Sequence, residues 1–139
     1  MPAPFQTSRR VEFRDTDAAG ILHFTAVLGL MEEAEHEFLR HIAVPLFRPV
    51  DGGTVSWPRV SAACDFKSPA RFEDDLQIDV VVRQLGRRSV TYGFRVRCQD
   101  RLVATGTLSA ACCLVNGSGI KSMDIPPDVA DKLRMYLPT

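Results

Sequence analysis

No stretch of this 139-residue sequence approaches the roughly 20 consecutive apolar residues that a membrane-spanning helix needs. Charge of one sign is also missing in excess. The 17 Lys and Arg are matched by 17 Asp and Glu, so no net field recommends nucleic acid or an anionic membrane as partner. Met1-Pro-Ala-Pro-Phe5 has no basic run leading into an apolar one. It does not read as a secretory signal, and the expected setting is the cytoplasm. Cysteine is sparse: Cys64, Cys98, Cys112 and Cys113 make no C-x-x-C pair, which implies free thiols rather than a disulfide framework. If Cys112 and Cys113 lie in a strand, they point to opposite faces. Glu32 and His36 have the spacing of a helical metal pair, but no second cluster completes a tetrahedral site, so no metal or other cofactor is expected. Repeats, linkers and low-complexity tracts are absent too. The chain is 45% apolar and 24% charged. Residues 1–139 are expected to form one domain with one core.

Residues 5–14 read as a first strand, with Val11 and Phe13 alternating about Glu12. Val27, Met31, Ala34, Phe38 and Ile42 then recur at spacings of four, three, four and four, one stripe of an amphipathic helix. Thr25 is the expected N-cap, and Gly29 implies close packing or a helix start nearby. Pro45 and Pro49 end the helix, and residues 50–54 read as a loop. From Ser56 the apolar period changes to two. Strands are expected near residues 60–66, 76–83, 89–98 and 102–114, separated by turns at 68–75, 86–88 and 99–100. One face of these strands is apolar, so the sheet is antiparallel and needs a cover. Residues 116–119 close it, and residues 126–137 read as a short terminal helix. The expected class is α+β, a curved five-stranded antiparallel sheet wrapped around one long helix.

Between the first strand and that helix lies Phe13-Arg-Asp-Thr-Asp-Ala-Ala-Gly-Ile-Leu-His-Phe24. An acidic turn here meets the start of a helix, where unpaired N–H groups and the positive dipole end collect. A carboxylate that can act as base or nucleophile then stands beside donors for a developing oxyanion. Read on residue type alone, Asp17 fits a turn or cap carboxylate as well as a catalytic one. Gly20 fits a backbone conformation closed to other residues, or close approach of a substrate.

This order of elements, with Asp15-Thr-Asp-Ala-Ala-Gly20, Met31-Glu-Glu-Ala34, Cys64-Asp-Phe-Lys-Ser-Pro-Ala70, Phe72-Glu-Asp-Asp-Leu76 and Gly86-Arg-Arg-Ser89, resembles the hotdog-fold acyl-CoA thioesterases. The branch it resembles is that of the 4-hydroxybenzoyl-CoA and 1,4-dihydroxy-2-naphthoyl-CoA thioesterases, over roughly residues 8–115. The resemblance implies hydrolysis of an acyl-CoA, an aryl one before a fatty one, without a cofactor. It implies Asp17 as the catalytic carboxylate, the backbone N–H near Phe24 as the donor to the thioester carbonyl, and Gly20 and His23 beside them. Glu32 falls where the family can touch an aryl hydroxyl, and Arg87, Arg88 and Ser89 fall where it can meet the CoA phosphates. It further implies sites at a dimer interface, sheets joined edge to edge, and a homotetramer built from such dimers. This chain departs from the family after the glycine, with His23, Ala26 and Val27 where relatives carry Tyr, Asn and Tyr. Two other readings stay open: a hotdog dehydratase, which needs a histidine base, and an acyl-thioester-binding protein without turnover.

Overall fold

In the computed structural model, which describes residues 3–138, helix α1 spans Phe24–His41 and is wrapped by a five-stranded antiparallel sheet. This is the hotdog arrangement expected above. The strands are β1 (Phe5–Arg10), β4 (Arg59–Phe66), β5 (Asp75–Leu85), β6 (Ser89–Cys98) and β7 (Arg101–Ala111), in spatial order β1-β5-β6-β7-β4. Period-two alternation puts Leu76, Ile78, Val80 and Val82 of β5 and Val90, Tyr92, Phe94 and Val96 of β6 on the inner face, all buried. Val27, Met31, Ala34 and Phe38 of α1 meet them, and all four are buried. Helical spacing and strand alternation therefore close on one core.

Where α1 passes β7, Met31 packs against the backbone at Gly106. A Cβ there would stand 2.5 Å from Met31 Cε and 2.7 Å from the Ala63 carbonyl oxygen. At the far end of α1, Ala43 takes φ 58°, its N–H bonds the Arg40 carbonyl at 3.1 Å, and the Val44 N–H bonds that of Leu39 at 2.8 Å. This pair of bonds closes the helix in a Schellman motif, with alanine where glycine is usual.

Several local expectations give way. The first strand stops at Arg10, because Phe13–Asp15 winds into a 3₁₀ turn and the Glu12 N–H donates to Asp15 Oδ2 at 2.9 Å. The N-cap is His23, not Thr25: the His23 ring Nδ1 accepts from the Thr25 N–H at 3.1 Å. Gly29 lies mid-helix and exposed, with nothing within 4 Å of an added Cβ, so it marks neither close packing nor a helix start. Residues 50–54 are no loop: β2 (Arg48–Val50) and β3 (Gly53–Ser56) form a hairpin turned at Asp51-Gly52, an Asp-Gly hairpin signal. Residues 116–119 open a second hairpin, between β8 (Cys113–Asn116) and β9 (Gly119–Ser122). These four short strands make a further sheet, ordered β2-β3-β8-β9. Helix α2 is shorter than expected, Pro127–Arg134. The four thiols are free; Cys112 sits between β7 and β8, and both it and Cys113 are buried.

Neither edge strand of the main sheet buries a residue, but β4 is the more exposed: six of its eight residues are exposed against three of six in β1, and Val60 and Phe66 keep 61% and 54% of their surface. It pairs with β7 on one side only and forms an edge.

Two glycine substitutions should move stability in opposite directions. Gly106→Ala overpacks against a rigid carbonyl and should cost about 1–3 kcal/mol. Gly29→Ala enters open space on a helix and should gain up to about 1 kcal/mol. Urea unfolding of the two variants checks both signs.

Candidate active site

The segment between the 3₁₀ turn and α1 is tied down at both ends. Thr16 and Leu22 form an isolated antiparallel bridge, and Ile21 bridges Arg71. The Asp17 N–H donates to the Ile21 carbonyl at 2.9 Å and the Gly20 N–H to the Asp17 carbonyl at 2.9 Å, with Gly20 at φ +79° as the tight return requires. Within this loop Asp17 Oδ1 accepts from the Ala19 N–H at 2.9 Å and, at the long distance of 3.4 Å, from the Ile21 N–H. Both bonds end on Oδ1. The carboxylate is thereby oriented while Oδ2 is left without a donor among the described residues. Asp15 is structural: its carboxylate takes the Glu12 N–H and its carbonyl takes the His23 N–H at 2.7 Å.

At the helix start, the caps use some N–H groups and spare one. The Thr25 N–H goes to the His23 ring and the Ala26 N–H to the His23 carbonyl at 3.0 Å. The Phe24 N–H, first in the helix, has no acceptor among the described residues. It carries the helix dipole's positive end with nothing to neutralise it.

Asp17 and Phe24 line one cleft of about 430 Å3. Ile21, Leu22, Val27 and Val103 supply apolar walls, and residues 66–70 supply the opposite one. That second wall is the part of the site sequence reasoning missed. It is pinned to the Asp17 loop by the Leu22 N–H on the Ala70 carbonyl at 2.7 Å. Arg101 braces it from behind, donating to Ser68 Oγ at 2.9 Å and to the Pro69 carbonyl, while Ser68 Oγ donates to the Leu102 carbonyl at 2.6 Å. The quoted Cys64–Ala70 run held this signal, but nothing in its spacing says that it folds onto residue 22.

The remaining expected residues divide in two. Gly20 and His23 support the site without lining the cleft: His23 stacks on Phe24 with ring centroids 4.6 Å apart, its Nδ1 held by the cap. Glu32 lies two turns along α1, about 12 Å from the helix start, and binds Arg59 at 3.0 Å. Arg87 and Arg88 flank the β5–β6 turn and share Asp124, at 3.2 and 2.8 Å; the Arg88 hydrogen bond, then the charges of Arg87 and Arg88, holds that carboxyl below its ordinary value. Ser89 pairs with Ala111 and Arg59 with Ala110, whereas Phe66 pairs with Ala104. Arg59, Arg87, Arg88 and Ser89 therefore stand at the other end of the sheet from the Asp17 cleft, roughly 23 Å away by strand rise. Within this chain the two groups do not meet.

Known proteins share this architecture. A relative from Aquifex aeolicus is 32% identical over 131 residues, covering 94% of this chain and 98% of its own. A 1,4-dihydroxy-2-naphthoyl-CoA hydrolase of Nostoc punctiforme is 29% identical over 129 residues, covering 93% and 86%. The crystal structure of a 1,4-dihydroxy-2-naphthoyl-CoA thioesterase from Synechocystis superposes with a TM-score of 0.83 over 94% of this chain and 95% of that one, at 23% identity. The model of the thioesterase-like superfamily matches residues 11–133. With the helix-and-sheet architecture and the acidic turn in place, the chain belongs to the thioesterase-like superfamily.

Proposed function

We propose that this chain, a thioester hydrolase of that superfamily, cleaves an aryl acyl-CoA to the free acid and CoA at the Asp17 cleft. One observation carries the reading: Asp17, whose Oδ2 has no donor among the described residues, and Phe24, whose backbone N–H has no acceptor among them, line the same cleft. The thioester carbonyl oxygen accepts from the Phe24 N–H, which gains strength as that oxygen becomes an oxyanion. Asp17 Oδ2 either takes a proton from water as it adds to the carbonyl carbon, or adds itself to give an anhydride that water then opens. In both routes the C–S bond breaks and CoA leaves as thiolate. A thioester is activated enough for a carboxylate and an aligned dipole to suffice. The names of the relatives favour an aryl acyl group.

The working unit is a homodimer joined along β4, and two such dimers complete a tetramer. The exposed strand bears Ser61, Ala62 and Ala63 at its centre, without the Lys or Pro that usually guards a free edge. A two-fold axis at Ala63 sets that residue opposite its own copy, pairs the two strands antiparallel and puts Val60, next to Arg59, opposite the partner's Phe66. The two ends of the sheet that are apart in one chain then adjoin across the junction. Arg87, Arg88 and Ser89 come to the CoA phosphates by this route, releasing Asp124. Free thiols and a CoA substrate both suit a cytoplasmic setting, and residues 1–139 act as one domain.

Thiol release from an aryl acyl-CoA tests the chemistry. Asp17→Asn should lower kcat by about 10²–10⁴-fold while still binding the substrate. Phe24→Pro deletes the N–H together with the phenyl ring, and Phe24→Leu deletes the ring alone; proline is tolerated at the first helical position, and His23 already has the extended ψ of 143° that it demands. Phe24→Pro should cost about 10²–10³-fold in kcat, with helicity by circular dichroism retained and Phe24→Leu close to wild type. Equal rates in Phe24→Pro and Phe24→Leu would remove the oxyanion donor from the mechanism.

Ala63→Lys sets like charges facing across the junction and should split the sedimenting tetramer into smaller species, with activity lost alongside. A tetramer that withstands it, fully active, would move the junction off β4.

A further inference from the structure

Two charged residues line the Asp17 cleft, Asp17 itself and Lys67. Lys67 directly follows β4, in the 66–70 wall, and is exposed. Its side chain has no hydrogen-bond or ion-pair partner among the described residues. The backbone beneath it is fixed all the same. The Lys67 and Ser68 N–H groups both donate to the Val103 carbonyl, at 2.8 and 3.2 Å. Val103 is 2% exposed and lines the cleft itself. Arg101, behind the same wall, is already engaged: it donates to Ser68 Oγ and the Pro69 carbonyl and stands 3.8 Å from Asp74. Arg71, one residue past the wall, does not line the cleft. Lys67 is therefore the cation that the cleft holds in reserve.

Thioester hydrolysis carries negative charge through three places. It starts on the Asp17 carboxylate, passes to the carbonyl oxygen and ends on sulfur when the C–S bond breaks. The Phe24 N–H answers the second of these. No group already assigned answers the third, and a thiolate formed against apolar walls is costly without a counter-charge. A lysine ammonium suits that task, being a compact charge with three donors on a flexible stem. Rooted in the pinned wall, it reaches the cleft without the carboxylate partner that would otherwise hold it away.

We infer that Lys67 stabilises the departing sulfur as its charge develops, and so is a catalytic residue beside the carboxylate and the amide. The inference rests on the hydrolase reading. As the C–S bond breaks, its electron pair goes to sulfur, the carbonyl re-forms, and CoA leaves as a thiolate paired with the ammonium. Lys67 keeps its proton throughout; the proton that Asp17 takes from water passes on to solvent. The same pairing serves the anhydride route, in which sulfur departs before any proton has moved.

Steady-state hydrolysis of three benzoyl thioesters by wild type, Lys67→Met and Lys67→Arg tests the role. The substrates are benzoyl-CoA and the benzoyl thioesters of 4-methoxythiophenol and 4-nitrothiophenol, so the acyl group is constant and only the leaving thiol changes. Lys67→Met should lower kcat on benzoyl-CoA by about 10–100-fold, the worth of one charge-assisted hydrogen bond, with KM little changed. Its loss should be larger for the 4-methoxy thiol than for the 4-nitro thiol, whose thiolate needs no help, and Lys67→Arg should recover most of it. Equal losses for the two aryl thiols, a loss confined to KM, or no loss would overturn the inference. Lys67 is exposed, so thermal unfolding of Lys67→Met should match wild type; if that variant aggregates, Lys67→Gln carries the same comparison. Wild type that releases thiol from no acyl-CoA would end the hydrolase reading and this role together. Active wild type with Lys67 variants equally active would end the role of Lys67 alone.

Discussion

The proposed chemistry depends on one amide of α1 that has no acceptor among the described residues. A helix begins with four N–H groups that the helix itself cannot satisfy. Here the His23 ring takes that of Thr25 and the His23 carbonyl that of Ala26, while the Phe24 N–H is left over. A Ser or Asp cap at residue 23 could satisfy the same amides. A ring, however, also stacks on Phe24 and fixes the direction from which the free amide can be approached. The position of that amide depends in turn on how α1 lies on the sheet. Gly106 lets Met31 sit against the β7 backbone, and a helix displaced there would carry its tip away from Asp17.

Asp17 is the complementary half of that constraint. Its loop uses one carboxylate oxygen for its own fold and leaves the other free, so orientation and availability come from a single side chain. Preorganisation of this kind costs nothing at the moment of reaction, because the dipoles already point where charge develops. The 66–70 wall matters for the same reason. Arg101 holds its carbonyl and hydroxyl groups, and Ala70 holds Leu22, so cleft width is set by hydrogen bonds and not by side-chain packing alone.

Much of this was legible in the residues. The stripe Val27, Met31, Ala34, Phe38 and the alternation from Leu76 to Val96 specify a helix and a sheet that can only pack together. The acidic turn before Phe24 pointed to the cleft. What escaped was long-range or contrary to habit. His23 was overlooked as a cap because hydroxyl and amide side chains usually do that work. The Asp, Gly and Thr of residues 50–54 suggest a loop by composition, but the Asp51-Gly52 pair between extended residues turns a hairpin. Glu35 follows Met31 by four and precedes Phe38 by three, on the apolar stripe, yet a carboxylate is expected to face water. Its partner Arg59 comes from a strand 24 residues on, and no local pattern announces that meeting.

The edge strand ties these parts into one argument. Along β4 the residues change character from Arg59, which anchors two carboxylates, to Phe66, which lines the Asp17 cleft. A single chain cannot use both ends on one small molecule, since they lie too far apart. In the proposed dimer, antiparallel two-fold pairing would reverse one strand against the other and give each cleft the opposite end of its neighbour. The sequence of β4 is consistent with that demand. Its middle is small and uncharged, which suits backbone pairing, and its specialised residues are confined to the ends, where each would meet the other kind. The exposure points the same way: six of the eight β4 residues are exposed, against three of six in β1 at the other edge of the sheet.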